Sequence, residues 1–211
     1  MSEIKKESNQ HETPVGDLAI PNAEMSKKIK RSASAELIDY IEIFVFAVCF
    51  VVLIFSFMFR LCTVSGPSME NTLFNGERLV VSKLFYTPRS GDVIVFHQTG
   101  TLDEPIVKRV IATEGEAVQI TYYQDTMVVT IVDVNGNVRE LSEPYMKYEG
   151  DQLYVGSNNF TVPDGHLFVL GDNRNNSKDS RHPAIGFVDE RRVLGKVILR
   201  LSPIDRLGFV A

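Results

Sequence analysis

Two side chains in this sequence are of types that can perform nucleophilic chemistry together, the hydroxyl of Ser68 and the amine of Lys108. Ser68 lies in the stretch SGPSMENTL, residues 65–73, soon after an apolar segment. A serine hydroxyl is a weak nucleophile that needs a base within hydrogen-bond reach. A lysine can act as that base when burial disfavours its charged form and lowers its pKa. The elements that carry the two side chains therefore decide whether they can react.

Lys108 lies in EPIVKRVIAT, a stretch with the alternation of a β-strand. Successive side chains of a strand point to opposite faces, so Lys108 shares its face with Ile106 and Val110, and Arg109 lies on the other face. Two interpretations are open for such a lysine. It either protects a strand edge against aggregation, or it is a desolvated amine that serves as a general base near neutral pH.

Other catalytic groups have less support. Of the four histidines, His97 alone is placed like a catalytic base, at the end of the predicted strand VIVFH. Ser68 is not in a G-x-S-x-G elbow, because position 70 is glutamate. No His, Cys and carboxylate cluster has the spacing of metal ligands, so we predict no metal and no other cofactor. The net charge of −5 and the lack of a basic run with interleaved aromatics exclude nucleic acid as a partner.

An apolar segment precedes Ser68. Residues 43–59 contain seventeen residues without a charge, and apolar flanks extend this segment to the roughly 20 residues that span a bilayer. A buried helix of a soluble domain would show a polar face. A signal peptide would start earlier, be shorter and end in a small-residue cleavage pattern. We therefore predict an uncleaved transmembrane anchor over residues 36–62, preceded by a disordered tail, residues 1–35.

The charges around the anchor predict its direction. KKIKR, residues 27–31, carries four basic residues, whereas Arg60 is the only charged residue between Phe59, the end of the uncharged run, and Glu70. The positive-inside rule then puts the N-terminus in the cytoplasm and the chain after residue 62 outside, as in a single-pass type II protein of the cell membrane. Ser68 follows Arg60 by eight residues, so at most about 25–30 Å of extended chain separates it from the helix end.

The remaining residues, 63–211, predict an all-β domain of twisted, mostly antiparallel sheets. Turn residues separate seven short runs rich in Val, Ile, Phe and Tyr: RLVVSKLFY, DVIVFH, PIVKRVIAT, AVQITYY, TMVVTIVDV, HLFVLG and KVILRL. Asn135-Gly136 favours a two-residue type I′ hairpin turn. We interpret residues 116–160 as a small β insertion to which the sequence assigns no role.

A polar stretch, GDNRNNSKDSRHPAIGFV, occupies residues 171–188. It is either a solvated turn, a cation-binding loop or a rigid scaffold that orients a site. The scaffold would be built from its acidic and basic side chains, and it requires that each buried polar group is satisfied. The side chains that could form it are Asp172, Arg174, Asp179 and Arg181.

Taken together, these residues resemble the bacterial type I signal peptidases, which use a serine–lysine dyad, in the form found in Gram-positive bacteria. The resemblance covers nearly all of residues 38–211 and comprises an anchor followed by five ordered blocks: SGPSMENTL, GERLVVSKL, GDVIVF, IVKRVIATEGE and GDNRNNSKDSRHPAIGFV. It implies a membrane-anchored serine endopeptidase whose catalytic domain, residues 63–211, lies outside the cytoplasm. Its partners would be exported preproteins and the lipid bilayer.

The resemblance also assigns roles to residues. Ser68 resembles the nucleophile, Lys108 the general base and Ser177 the serine that orients the lysine amine. Asp179 resembles the acid that pairs with Arg181 and Arg109. Gly171 and Asp172 open the last block, as the family pattern expects.

Three positions depart from the family pattern. Asn71 stands where proline is usual, and Asn175 stands where aspartate is common. Gly66 stands where some members have a serine whose hydroxyl completes the oxyanion hole, which leaves the Ser68 backbone N–H as the oxyanion donor that we can name.

The resemblance implies cleavage after small residues, commonly in Ala-x-Ala. Small-residue specificity needs shallow pockets, and we expect their walls at Val64, Met69, Leu73 and Ile106. The substrate would lie extended beside PIVK and add a strand. Two alternatives stay open: a membrane-anchored β domain that binds peptides, with Ser68 and Lys108 structural, and a serine–lysine protease with regulatory substrates.

Overall fold

The computed structural model describes residues 33–98, 104–123, 126–149 and 158–210. The predicted disordered tail, residues 1–35, lies outside the described residues except for its last three positions. The basic run KKIKR also lies outside them. One compact unit, Ala47–Ala211, contains all of the strands and the predicted catalytic residues.

The described chain begins with one long helix, α1 (Ala33–Met58). Its 23 residues from Glu36 to Met58 are long and apolar enough to cross a membrane, since they rise about 35 Å at roughly 1.5 Å per residue. The helix ends at Met58, four residues before the predicted end of the anchor, because Phe59–Thr63 pairs residue by residue with the strand Arg78–Ser82. A backbone that bonds to a neighbouring strand cannot keep its intrahelical bonds.

Twelve strands follow the helix in the described residues, and every pair of them is antiparallel. The predicted all-β domain behind one N-terminal apolar helix is therefore confirmed. The strands are β1 (Phe59–Thr63), β2 (Arg78–Ser82), β3 (Val93–Phe96), β4 (Ile106–Ala112), β5 (Ala117–Tyr123), β6 (Thr126–Val132), β7 (Val138–Glu140), β8 (Asn159–Thr161), β9 (His166–Leu170), β10 (Val188–Asp189), β11 (Val193–Ser202) and β12 (Gly208–Phe209).

The larger sheet has eight strands in the order β1-β2-β11-β3-β4-β9-β10, with β12 paired to β11. Strand β4 is an interior strand, with Lys108 opposite Ile94 of β3 and Arg109 opposite Leu170 of β9. Apolar side chains are buried on both of its faces, where Val110 and Ile111 belong to different core clusters. A lysine that protects an edge would be exposed, and Lys108 is buried, so the structure favours the desolvated amine.

The smaller sheet has four strands in the order β7-β6-β5-β8 and is built from residues between Ala117 and Thr161. Along β6, buried and half-buried residues alternate, which is the pattern of a sheet with one face on a core. The buried face includes Met127, Val129 and Ile131, which pack with Phe168 of the larger sheet. The two sheets thus share one of the three hydrophobic clusters among the described residues.

The turn between β6 and β7 differs from the predicted type I′ turn. Gly136 has a φ of +84°, but Asn135 is not among the described residues with positive φ, as a type I′ turn would require. The Gly136 N–H donates to the Asp133 carbonyl, and the Asp133 N–H donates to the Asn137 carbonyl. The Asp133 carboxylate also accepts from the backbone N–H groups of Asn135 and Asn137. These carboxylate bonds favour a longer loop closed by a left-handed glycine.

Candidate active site

Ser68 lies in a tight turn that the hydrophobic core holds in place. The Glu70 N–H donates to the Pro67 carbonyl at 3.1 Å, and the Leu73 N–H donates to the Met69 carbonyl at 2.8 Å. The side chains of Met69 and Leu73 are buried in the same cluster. Because the residues after Ser68 are anchored in this way, the backbone that carries the Ser68 hydroxyl is held in one position.

Two left-handed residues shape this turn. Gly66 has a φ of +83° and donates its N–H to the Asn75 side chain at 2.9 Å. Asn71 has a φ of +46°, a conformation that asparagine tolerates but that a proline ring, locked near about −65°, cannot adopt. This explains why asparagine suits the position in this chain. Among the described residues, the Ser68 N–H has no hydrogen-bond acceptor, so it is available to an incoming group.

The amine of Lys108 meets the hydroxyl of Ser68. Lys108 Nζ and Ser68 Oγ are 2.6 Å apart, although 40 residues separate them in sequence. The Lys108 side chain is only 3% exposed. Burial lowers its pKa to about 8, against the opposing effect of the carboxylates of Asp179 and Asp172. The site therefore contains a buried amine that loses its proton near neutral pH, next to a hydroxyl.

The polar stretch after β9 packs against the turn that carries Ser68. The Asn173 N–H donates to the Ser68 carbonyl at 3.1 Å, and the Asn173 side chain donates to the Pro67 carbonyl at 3.1 Å. A Cβ placed on Gly171 would clash with the Ser177 side chain and lie 2.5 Å from the Ser68 carbonyl oxygen. Only glycine permits this close approach, which brings the buried Ser177 next to the Ser68 segment.

Three buried carboxylate–arginine pairs hold this stretch, and two of them involve its own carboxylates. Asp179 accepts from both Nε and Nη2 of Arg181 at 2.8 Å, as expected, and also from the Gly171 N–H at 3.1 Å. Asp172 accepts from Nε and Nη2 of Arg109 at 2.9 and 2.8 Å. The bidentate partner of Arg109 is thus Asp172, whereas the family resemblance had suggested Asp179. Asp172 follows β9, beside Arg109 of β4, which explains the pairing.

Several residues of this scaffold were not singled out from the sequence. Thr72 donates to the Asp172 carboxylate at 2.5 Å, and the Tyr145 ring lies 3.8 Å from the Arg109 guanidinium. Arg174, which the sequence did include, forms a buried pair with Glu143. Thr72 is near Ser68 in the chain, but Glu143 and Tyr145 come from the smaller sheet's connection and carry no local signal that links them to the site.

A cavity of about 400 Å³ opens in front of Ser68 and Lys108. Val64, Met69 and Ile106 line it, as predicted for the pocket walls, and Ala184 and Ile185 add apolar surface. Leu73 is instead fully buried in the core, where it anchors the turn that carries Ser68, and it is not among the lining residues. His97 is exposed and does not line the cavity either. Its position gives no support to a histidine base.

Comparisons with known proteins agree on one family. The family model described as "Signal peptidase, peptidase S26" matches residues 37–202. Signal peptidase I of Bacillus caldolyticus is 39% identical over 177 residues, which cover 77% of this chain and 90% of that protein. Signal peptidase IB of Staphylococcus aureus strain MRSA252 is 34% identical over 183 residues, which cover 77% and 89%. A crystal structure of signal peptidase I from Enterococcus faecalis V583 matches with 32% identity and a TM-score of 0.38, over 53% of this chain and 97% of that one.

The family model and the two curated relatives define the class of the protein as a serine peptidase. The chain belongs to the signal peptidase family, peptidase S26, and is an enzyme of the bacterial type I class. It removes signal peptides from exported preproteins, and its apolar helix is long and apolar enough to anchor it in a membrane.

Proposed function

We propose that Ser68 is the nucleophile and Lys108 the general base of this signal peptidase. The observation that carries the proposal is the 2.6 Å separation of Lys108 Nζ and Ser68 Oγ at the wall of the cavity. The lowered pKa of Lys108, about 8, supports the same role, because a general base works best when its pKa lies near the operating pH.

The proposed cycle needs no group beyond these side chains and water. Neutral Lys108 takes the proton of the Ser68 hydroxyl as Oγ attacks the scissile carbonyl. The ammonium then gives this proton to the leaving amine, and an acyl-enzyme ester on Ser68 remains. The same amine next takes a proton from water, which attacks the ester, and the returned proton restores the Ser68 hydroxyl.

Two further groups support these steps. We assign the Ser68 N–H to the oxyanion, since no acceptor among the described residues occupies it and since Gly66 offers no side-chain donor. We assign Ser177 to the orientation of the Lys108 amine. Ser177 is buried, and its side chain lies beside Gly171, where the Ser68 carbonyl also comes close. Both observations support this role. Asp179 and Arg181 would keep this stretch rigid.

For specificity, we propose cleavage after small residues in Ala-x-Ala. The walls at Val64, Met69 and Ile106, together with Ile185, leave a cavity that suits short apolar side chains. Strand β9 pairs with β4 from Arg109 onward, so among the described residues the same edge of β4 before Lys108 has no strand partner. An extended substrate can add a strand at this edge, which would place its scissile carbonyl beside Ser68.

The topology is part of the same proposal. The basic run before the anchor supports a cytoplasmic N-terminus, with the catalytic domain outside and near the bilayer surface. We divide the chain, as the sequence predicts, into a tail, residues 1–35, an anchor, residues 36–62, and a catalytic domain, residues 63–211, in which residues 116–160 form a small β insertion. In the structure the helix covers Ala33–Met58, and β1 begins at Phe59.

The test is cleavage of a preprotein that carries an Ala-x-Ala site by the detergent-solubilised full chain. We expect Ser68→Ala and Lys108→Ala to abolish cleavage and His97→Ala, the matched control, to retain it. Cleavage at the wild-type rate without Lys108, or the loss of cleavage without His97, would show that the base is wrongly assigned. Changing either alanine of the site to a bulky residue should stop cleavage, and unchanged cleavage would contradict the proposed specificity.

A further inference from the structure

A second cavity lies away from the catalytic residues, where the apolar helix ends. It has a volume of about 300 Å³, and its cationic lining residues are Arg60, Lys83 and Arg191. Phe57 and Met58, the last residues of α1, also line it. None of these residues lines the catalytic cavity. The cleavage chemistry proposed above therefore leaves this concentration of positive charge unused.

The sheet brings these cations together from three separate segments. Arg60 lies on β1 opposite Val81 of β2, and Lys83 follows the end of β2. Strand β11 comes close to this point because Gly195 has a φ of +154° and no side chain. A Cβ at Gly195 would clash with the Ser82 carbonyl and lie 2.9 Å from the backbone nitrogen of Lys83. Arg191 enters from the short turn that precedes β11.

The charges of the cavity are only partly compensated. Arg191 forms a bidentate pair with Asp189 and is 88% exposed. In contrast, Arg60 and Lys83 have no carboxylate within ion-pair distance among the described residues. Two uncompensated cations beside a concave surface attract an anion, and a guanidinium is well suited to a phosphate group.

The position of the cavity favours a lipid headgroup as the phosphate that it would bind. Phe57 and Met58 end the segment that is apolar enough to cross a membrane, and Arg60 follows two residues later. The cavity therefore lies at the depth where the helix leaves the hydrocarbon and the lipid headgroups begin. Lys and Arg side chains clustered next to a membrane span are attracted to anionic lipid headgroups. The apolar wall of Phe57 and Met58 suits the start of the acyl chains.

We propose that Arg60, Lys83 and Arg191 form a binding site for the phosphate headgroup of an anionic phospholipid. Arg60 and Lys83 supply the attraction, while Asp189 holds Arg191 at the rim. The bound lipid would set the depth of the β domain at the end of its anchor. This site is independent of Ser68 and Lys108, so its failure would leave the proposed cleavage chemistry intact.

The test is native mass spectrometry of the full chain in detergent, titrated with phosphatidylglycerol. We expect one phosphatidylglycerol to bind, and the Arg60→Gln/Lys83→Gln variant to bind it about 30-fold more weakly, since each basic residue near the surface contributes about tenfold or somewhat less. The matched control is Arg78→Gln/Arg139→Gln, which removes the same charge from two other exposed strand positions and should retain the affinity. Preprotein cleavage in detergent and the thermal unfolding midpoint should be unchanged in both variants, which separates a binding defect from misfolding.

Parallel titrations distinguish the ligand. Phosphatidylcholine and inorganic phosphate are each expected to bind much more weakly than phosphatidylglycerol. Equal binding of phosphatidylglycerol to the wild type and to Arg60→Gln/Lys83→Gln would overturn the site. Equal binding of phosphatidylcholine would overturn the recognition of headgroup charge, and equally tight binding of inorganic phosphate would overturn the lipid as its source.

Discussion

Lys108 and Arg109 are neighbours on one strand, equally buried, and have opposite electrostatic surroundings. Lys108 is 3% exposed and Arg109 2% exposed. Lys108 meets a neutral hydroxyl, so burial dominates and lowers its pKa to about 8. Arg109 meets the carboxylate of Asp172 in a bidentate pair and the face of Tyr145. The alternation of a strand thus places a reactive amine on one face and a permanent charge on the other.

The difference between these neighbours separates reactivity from stability. A buried cation with a bonded carboxylate keeps its charge, and removing one partner leaves the other charge buried and unpaired. A buried lysine with no ion pair among the described residues destabilises the folded state while it is charged. This destabilisation decreases when the amine loses its proton. We therefore expect substitutions at position 108 to affect catalysis and those at position 109 to affect the free energy of unfolding.

The largest expected effect is the loss of catalysis in Lys108→Met. Methionine keeps the length and the packing of the lysine stem but has no base. We expect kcat/KM for a preprotein to fall by about 10²–10⁴-fold, the contribution of a general base. The free energy of unfolding, measured by urea denaturation in detergent, should not decrease at pH 7. A strongly destabilised Lys108→Met would mean that this lysine is structural.

The complementary variant is Arg109→Met. It leaves the Asp172 carboxylate buried and unpaired, so we expect a loss of about 3–5 kcal/mol in the free energy of unfolding. Adding Asp172→Leu removes the stranded charge, and the double variant should recover much of the loss. If Arg109→Met were as stable as the wild type, the pair of Arg109 and Asp172 would not stabilise the folded state.

Gly171→Ala tests the contact between the polar stretch, residues 171–188, and the turn that carries Ser68. The added methyl group would clash with Ser177 and meet the Ser68 carbonyl, so it must displace the turn that presents the hydroxyl. A displacement of about 1 Å can cost about 10²-fold in rate. Gly208→Ala, at a glycine without a left-handed φ whose Cβ would meet nothing within 4 Å, is the control for a glycine-to-alanine change. Equal kcat values for Gly171→Ala and the wild type would contradict this coupling.

A smaller effect is expected at Asn71, the departure from the family's proline. Its φ of +46° excludes proline, so Asn71→Pro should lower the free energy of unfolding by more than about 1 kcal/mol. Asn71→Gly, which accepts the same φ, should stay near the wild-type value. Thermal unfolding of both variants checks this, and a stable Asn71→Pro would mean that the turn adopts another conformation.

The sequence alone predicted the parts of this molecule that depend on local pattern. Strand alternation placed Lys108 and Arg109 on opposite faces, and the apolar run predicted one long helix. The end of that helix was less predictable. Phe59–Thr63 is mostly apolar and directly continues the apolar run, but it forms a strand because it pairs with β2. The pairing of Arg109 with Asp172, and the roles of Tyr145 and Glu143, depend on how distant strands meet. The conformation of Asn71 is also a tertiary property, since a single residue type does not determine its φ.

The measurement that tests the central claim most directly is the pKa of Lys108 itself. In the full chain with ¹³C-labelled lysine, the Lys108 Cε resonance, assigned by its absence in Lys108→Met, can be followed by NMR as the pH is raised. We predict a midpoint of about 8, with kcat/KM rising through the same pH range, because only the neutral amine accepts the Ser68 proton. A midpoint near the ordinary lysine value of about 10.4 would contradict the account, since burial would then not have prepared the base.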